Sequence, residues 1–410
     1  MNTLPKISFD NTANAFEYKS DKLLKKARFL FSCMKNNFLV KAGIALTPLA
    51  IKLRLPVKGL IRSTIFQQFV GGETLEQTKS VAETLGKYHV QVILDYGVEG
   101  GNDGEHGFNH ATEEFLRVVN YAATQKNIPF MSIKVTGLAR FELLENINAL
   151  MNKQRGDLLQ CYEKALQQLS AEEKAEWQRV VERVQKISQA GYEKKVGVLV
   201  DAEDSWIQEP VDALTTKMME QFNHQSVVIY NTLQMYRHDR LSFLEEALQM
   251  AIERKYVLGA KIVRGAYMEK ERDRAEEMGY PSPIQPNKEA TDRDYNAAMD
   301  LCIDNINNVA LIVASHNEYS NLFVTEQLLL KGFALDHPHV HFSQLYGMSD
   351  NITFNLAKAG CSVSKYLPFG PIEDVIPYLM RRAEENSSLS GQTGRELSLI
   401  EKEIKRRENN

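Results

Sequence analysis

Val196-Gly-Val-Leu-Val-Asp-Ala-Glu203 is the stretch whose reading decides the fold. Its apolar part is a short run rich in valine, so it reads as a strand. It stops abruptly in two acids. Seven other stretches share this texture of short apolar runs: Val90–Asp95, Phe130–Val135, Val227–Asn231, Ala260–Val263, Ala310–Ser315, Val340–Ser343 and Val363–Tyr366. Together with Val196–Asp201 they make eight strands. Each except the last is followed by a segment of helical length, and the last leads into a short apolar helix. Eight β-α repeats fit an α/β fold of the closed (βα)8 barrel type better than an open doubly wound sheet. The expected organisation is a helical arm over residues 1–87, a barrel over 88–395 and a polar tail over 396–410 that reads as a frayed helix. Between the second and third strands, Phe141 to Lys195 reads as two or more helices broken near Gln154–Asp157 and Leu169–Glu172.

Composition narrows the function. The 410 residues have 43% hydrophobic and 25% charged content, an ordinary globular balance. A formal charge of −4 argues against a dedicated nucleic-acid binder. The average hides an asymmetry, because residues 1–60 hold eleven Lys/Arg against three acids, a local +8. Such an arm is a solvated helical face or a surface for anionic lipid. The four cysteines (33, 161, 302 and 361) form no CxxC, so a reducing cytoplasm is the simplest compartment. The start, Met-Asn-Thr-Leu-Pro-Lys-Ile-Ser, lacks a charged segment followed by an apolar one, so a soluble chain is expected.

In a barrel, chemistry gathers at the carboxyl ends of the strands. Those ends carry Lys134, Asp201-Ala-Glu203, Asn231-Thr-Leu-Gln234, Lys261-Ile-Val-Arg-Gly-Ala-Tyr267, Ser315-His-Asn317 and Tyr366. A single lysine in an apolar strand is commonly snorkelled or paired, and a lone histidine is commonly structural. Six ends with charges of both signs point instead to a site, because buried charge is costly unless paired or used. The helix after the last strand adds Arg381 and Arg382, about 100° apart on the helical wheel, with Glu385 within one turn. Two guanidiniums form a fork for a small carboxylate. Cations outnumber acids, so an anionic ligand is expected. No Walker loop, no strand-borne GxGxxG and no HExxH is present; Gly97-Val-Glu-Gly-Gly101 matches neither phosphate fingerprint, and no metal is expected from the alternating His337, His339 and His341.

These motifs resemble one family closely, proline dehydrogenase. The segments that carry the resemblance are Phe66-Gln-Gln-Phe-Val-Gly-Gly-Glu73, Leu94-Asp-Tyr-Gly-Val-Glu-Gly100, Ser132-Ile-Lys134, Asp201-Ala-Glu203, Asn231-Thr-Leu-Gln-Met-Tyr236, Lys261-Ile-Val-Arg-Gly-Ala-Tyr267, Ser315-His-Asn317, Gln344-Leu-Tyr-Gly-Met348 and the run from Tyr366 to Asn386. They occur in the family's order over roughly residues 65–390. The resemblance implies a distorted barrel holding FAD, with the last helix over the barrel mouth. It implies oxidation of L-proline to Δ1-pyrroline-5-carboxylate by hydride transfer from C5 to flavin N5, the first step of proline catabolism, with a quinone-type acceptor and peripheral contact of a cytoplasmic chain with the inner face of a membrane.

Carried over residue by residue, Arg381 and Arg382 hold the proline carboxylate, Lys134 reaches toward it, and Asp201 orders the amine side. Tyr267, Tyr366 and Ile262 pack on the ring, and Glu385 pairs with the arginines. Lys134, Asp201 and Lys261 form the expected catalytic group. For FAD the resemblance implicates Ala202, Asn231, Gln234, Lys261, Val263, the Arg264-Gly265-Ala266 turn, Lys288, Thr291, Ser315, His316 and Glu385. Position 261 is arginine in many bacterial members, so lysine here keeps the charge and loses the planar fork. Three other readings stand beside this one: a hydroxyproline dehydrogenase, against which the Tyr366 ring argues by crowding a 4-hydroxyl; a Schiff-base enzyme using Lys134; and a non-catalytic proline-sensing module.

Overall fold

The structure is a computed structural model that describes residues 7–52, 58–97, 104–388 and 390–409. All eight expected strands form: β1 (Gln91–Tyr96), β2 (Phe130–Ile133), β3 (Gly197–Val200), β4 (Ile229–Gln234), β5 (Leu258–Val263), β6 (Val309–Ala314), β7 (Val340–Leu345) and β8 (Val363–Phe369). They close in sequence order into a barrel, with parallel pairing such as Ile133 beside Val200 and Thr232 beside Lys261. Parallel neighbours need a crossover, and the helix-length segments supply it.

Two strand limits differ from expectation for local reasons. β2 stops at Ile133, and a tight turn over Val135–Gly137 lifts Lys134 off the strand. β8 runs three residues past Tyr366. Its pairing with β1 continues through Asp95 beside Pro368 and Tyr96 beside Phe369. Pro368 has no N–H to lose there, and its carbonyl accepts Gly71 N–H at 2.8 Å. The long insertion resolves into Phe141–Met151, Leu158–Gln167 and Ala171–Lys194, the last opened by a reciprocal Ser170–Glu173 cap.

The chain divides into two compact units. The larger, Val98–Ser315 with Phe323–His341, contains β2 to β6 and their helices. Its strands are buried almost throughout, as expected of strands covered on both faces. The other unit, Met1–Gly97, His316–Leu322 and Phe342–Asn410, contains the arm, β1, β8, most of β7 and the last two helices. Within this second unit one apolar core sets Phe16, Leu24, Phe31 and Phe69 of the arm against Val375 and Leu379 of the arginine helix (Ile372–Ser388) and Leu399, Ile400 and Ile404 of the C-terminal helix (Ser390–Glu408).

The tail is therefore an ordered helix rather than a frayed one. Its apolar residues recur at helical spacing between charges, and buried Glu403 accepts from Arg406 and Arg407. The arginine helix rests on the carboxyl end of β1. A Cβ at Gly97 would collide with the Val375 side chain, so only glycine permits this approach. The remainder of the glycine-rich loop, residues 98–103, lies outside the described residues.

Candidate active site

In the larger unit, three expected catalytic residues meet. Lys134 Nζ lies 3.6 Å from Asp201 Oδ2, and Lys261 Nζ donates to Asp201 Oδ1. All three are less than 10% exposed. They arrive from the ends of β2, β3 and β5, and their formal charges sum to +1. Two ammonium groups on one carboxylate, away from water, favour a bound anion.

Glu203, which the strand-end reading places in the site, serves the scaffold. Its carboxylate accepts from the Thr136 hydroxyl at 2.6 Å, and its backbone is held by Gln208 at 3.0 Å and Gln234 at 2.7 Å. The Gln234 side chain is thereby engaged. Asn231 also points elsewhere, donating its amide to buried Asp212 on the helix Ser205–Phe222 at 2.9 Å. Strand alternation puts Ile262 on the same side as Asn231 and opposite Lys261. Its carbonyl accepts the Tyr295 hydroxyl at 3.3 Å. The expected contact of the Ile262 side chain with a substrate ring is therefore not on the Lys261 side of β5.

Of the residues expected around β5 and β6, Arg264, Ser315 and Lys288 are linked by hydrogen bonds directly or through Asp292. Arg264 donates to Ser315 Oγ at 2.7 Å and to Asp292 at 2.7 Å, with its guanidinium 4.2 Å from the Tyr295 ring centroid. Lys288 donates to the same Asp292 carboxylate. Thr291 is buried in the first turn of the helix Lys288–Asp304, whose cap is Asn287. Val263, Gly265, Ala266 and Tyr267 form the partly exposed turn leaving β5, and Ala202 is buried beside Asp201. Two cations, a hydroxyl and a helix N-terminus are the donors a pyrophosphate takes. Asp292 escaped the sequence reading, although its i,i+4 spacing from Lys288 was a usable signal.

In the other unit, Arg382 is 5% exposed, pairs with Glu385 and lies 5.1 Å from the Tyr378 ring centroid. Burial raises the Glu385 carboxyl above its usual range despite Arg382 and Arg381. Arg381 is half-buried, and Tyr366 on β8 is buried. His316 Nδ1 is 2.8 Å from Ser349 Oγ.

The sequence reading missed a buried ionic group in the same unit. Asp350 pairs with Lys19 at 2.8 Å and Lys365 at 2.9 Å and accepts the Tyr18 hydroxyl at 2.9 Å. Lys365 is a lysine inside an apolar strand, the signal that singled out Lys134. Burial opposes ionisation of Asp350, yet the two lysines hold it well below the usual carboxylate range. Among the described residues no three His, Cys, Asp or Glu side chains converge to hold a metal. His341 packs edge-on against Phe130 at 4.9 Å.

Glu396 stands beside this group. Burial first, and then the Asp350 charge, push its carboxyl up to about 7, against Ser349 N–H, Lys365 and Lys19. The folded chain thus holds a proton that the unfolded chain has released between pH 4.5 and about 7. That contribution to stability is full below 4.5 and lost as pH rises through 7. The stability of wild type relative to Glu396→Gln should fall by about 3 kcal/mol between pH 4.5 and 8, measured by denaturant unfolding at each pH. A flat difference would show that Glu396 does not titrate in that range.

A closed parallel barrel with buried cations gathered at its strand ends gives the chain the architecture of the (βα)8 class. The family model for proline dehydrogenase matches residues 78–395. The chain belongs to the proline dehydrogenase family. "Proline dehydrogenase 1, mitochondrial" of Dictyostelium discoideum is 33% identical over 386 residues, covering 87% of this chain and 67% of the relative. "Carbapenem antibiotics biosynthesis protein CarD" of Pectobacterium carotovorum subsp. carotovorum is 36% identical over 85% of this chain and 86% of its own length. "Hydroxyproline dehydrogenase" of Xenopus laevis is 33% identical over 85% and 78%. Among solved structures, proline utilization A from Bdellovibrio bacteriovorus, inactivated by N-propargylglycine, superposes with a TM-score of 0.68 at 20% identity. That match covers 93% of this chain but only 37% of the larger protein, and it establishes the fold.

Proposed function

We propose that the protein oxidises L-proline to Δ1-pyrroline-5-carboxylate with FAD, the first step of proline catabolism. The observation that carries this reading is the Asp201 carboxylate shared by Lys134 and Lys261 inside the family-matched segment. FAD, when bound, supplies the acceptor for the hydride that leaves C5. Arg264, Lys288, Thr291 and Ser315 would hold its pyrophosphate side, and Lys261 would place positive charge against its ring. Arg381 and Arg382 grip the substrate carboxylate, with Glu385 keeping the pair aligned. Lys134 adds charge at the same end. Asp201 accepts hydrogen bonds at the amine side, and Tyr267 and Tyr366 pack on the ring. Fixing a small substrate at several points orients C5 for transfer.

A hydroxyproline dehydrogenase is the second reading, favoured by the Xenopus relative. Against it stands buried Tyr366, a bulky ring where a 4-hydroxyl would need room. The expected kcat/KM for L-proline exceeds that for trans-4-hydroxy-L-proline by tenfold or more. Equal values in a steady-state dye-reduction assay would overturn the proline assignment.

Electrons pass to a quinone-type acceptor, and the arm offers a route to it on the cytoplasmic side of a membrane. No helix among the described residues is long and apolar enough to cross one. The arm helices instead expose Phe29, Phe38, Leu39, Leu46 and Leu60, with Phe38 78% exposed, beside exposed Lys22, Lys25, Arg28 and Lys41. Apolar side chains rimmed by cations suit the interface of an anionic bilayer. Co-sedimentation with phosphatidylglycerol-containing liposomes should exceed that with neutral liposomes and drop severalfold in Phe38→Ser/Leu39→Ser. Equal recovery in the supernatant for all three would remove the membrane contact.

A further inference from the structure

The turn after β7 is clamped from three directions within one unit. Gln68 of the arm donates to the Gly347 carbonyl at 2.7 Å. Gly347 has φ +82°, and a Cβ there would collide with the Gln68 backbone, so this approach demands glycine. From β8, Lys365 donates to the Met348 carbonyl. From the C-terminal helix, the buried Glu396 carboxylate accepts Ser349 N–H.

Ser349 is the strained member of this turn. Its backbone is left-handed, φ +51° and ψ +43°, a conformation serine keeps only where its surroundings impose it. In that conformation its hydroxyl reaches His316 Nδ1 at 2.8 Å. Leu345 N–H points at the other ring nitrogen, Nε2, at 3.5 Å. A ring nitrogen that faces a donor carries the lone pair. From these two contacts we assign the proton to Nδ1, donated to Ser349 Oγ, an arrangement that fixes both tautomer and ring orientation. The ring is held between the β7 backbone and a serine whose backbone a glutamate holds.

We propose that Glu396 is a positioning residue for His316. Its carboxylate holds Ser349 in the left-handed conformation, and Ser349 in turn fixes the His316 ring and its Nδ1–H tautomer. Glu396 lies one residue beyond the family-matched segment, on a helix whose apolar face is buried with the arm. The C-terminal helix is thus part of the machinery that shapes a strand-end residue. The consequence for catalysis rests on the reading of His316 as a flavin contact.

Two readouts on the full-length holoenzyme separate the relay from that reading. The first is the nitrogen chemical shifts of His316 in ¹⁵N-histidine-labelled protein, assigned by its loss in His316→Asn. Wild type should show a single Nδ1–H tautomer. Glu396→Gln keeps an acceptor oxygen and should retain it, whereas Glu396→Ala and Ser349→Ala should show averaged tautomers. The second is the rate at which flavin is lost on dilution. It should rise about tenfold in Ser349→Ala and Glu396→Ala, rise less than threefold in Glu396→Gln, and rise no further in the double alanine variant than in Ser349→Ala alone. Ser349→Ala removes one hydroxyl and keeps the relay testable should Glu396→Ala fail to fold. A His316 signal identical to wild type in folded Ser349→Ala or Glu396→Ala overturns the proposal. Averaged tautomers with unchanged flavin loss uphold the relay and overturn the flavin contact of His316.

Discussion

Replacing Arg382 by alanine is expected to raise the KM for proline by about 10²- to 10³-fold while flavin stays bound. The side chain is 5% exposed and lies over the Tyr378 ring, so its charge acts in a poorly screened setting. A charge-assisted bidentate grip on a carboxylate contributes roughly 3–4 kcal/mol there, which converts to that factor. The truncation also leaves Glu385, whose carboxyl burial already raises, without the guanidinium it pairs with. That second effect makes the loss larger than a missing contact alone. Lysine at 382 should recover only part of the affinity, because it keeps the charge and loses the planar fork. A loss confined to kcat, with KM unchanged, would show that Arg382 does not bind the carboxylate.

Replacing Asp201 by alanine should abolish turnover and cost stability together. Lys134 and Lys261 both lean on this carboxylate, and all three groups are buried. Removing one partner of a buried ion pair costs roughly 3–5 kcal/mol, because the remaining charge keeps its desolvation penalty. For a chain of this size that corresponds to a melting temperature lower by about 5 °C. Asparagine at 201 keeps an acceptor but no charge, so it should recover part of the stability and little of the turnover. The pattern separates a site residue from a scaffold residue. Glu203→Gln, by contrast, alters a carboxylate that accepts from the Thr136 hydroxyl and leaves the backbone bonds to Gln208 and Gln234 in place, and it should change turnover far less.

The barrel was legible because its strands are short, apolar and evenly separated by helical stretches, a pattern that survives without any tertiary information. Strand limits were less so. The end of β2 depends on the turn that frees Lys134, and the extension of β8 depends on its pairing with β1. The candidate site was legible wherever a charge interrupts an apolar strand, as at Lys134 and Lys261. The same rule should have marked Lys365, whose partner Asp350 was invisible because it sits at a helix start and reads as an ordinary cap. Asn231 and Ile262 lie on the face opposite Lys261 for one geometric reason: strand ends were read as lists, whereas alternation sends every second side chain toward the helices. Glu396 could not be read at all. Its meaning comes from a backbone N–H in a left-handed turn forty-seven residues away.

Anaerobic titration of the purified protein with L-proline, followed by visible absorbance, tests the central claim most directly. The account predicts flavin bands in the resting protein that bleach with one proline per flavin, with Δ1-pyrroline-5-carboxylate recovered in equal amount and no bleaching in Asp201→Ala. A chromophore-free protein, or flavin bands that proline leaves unchanged, would contradict it.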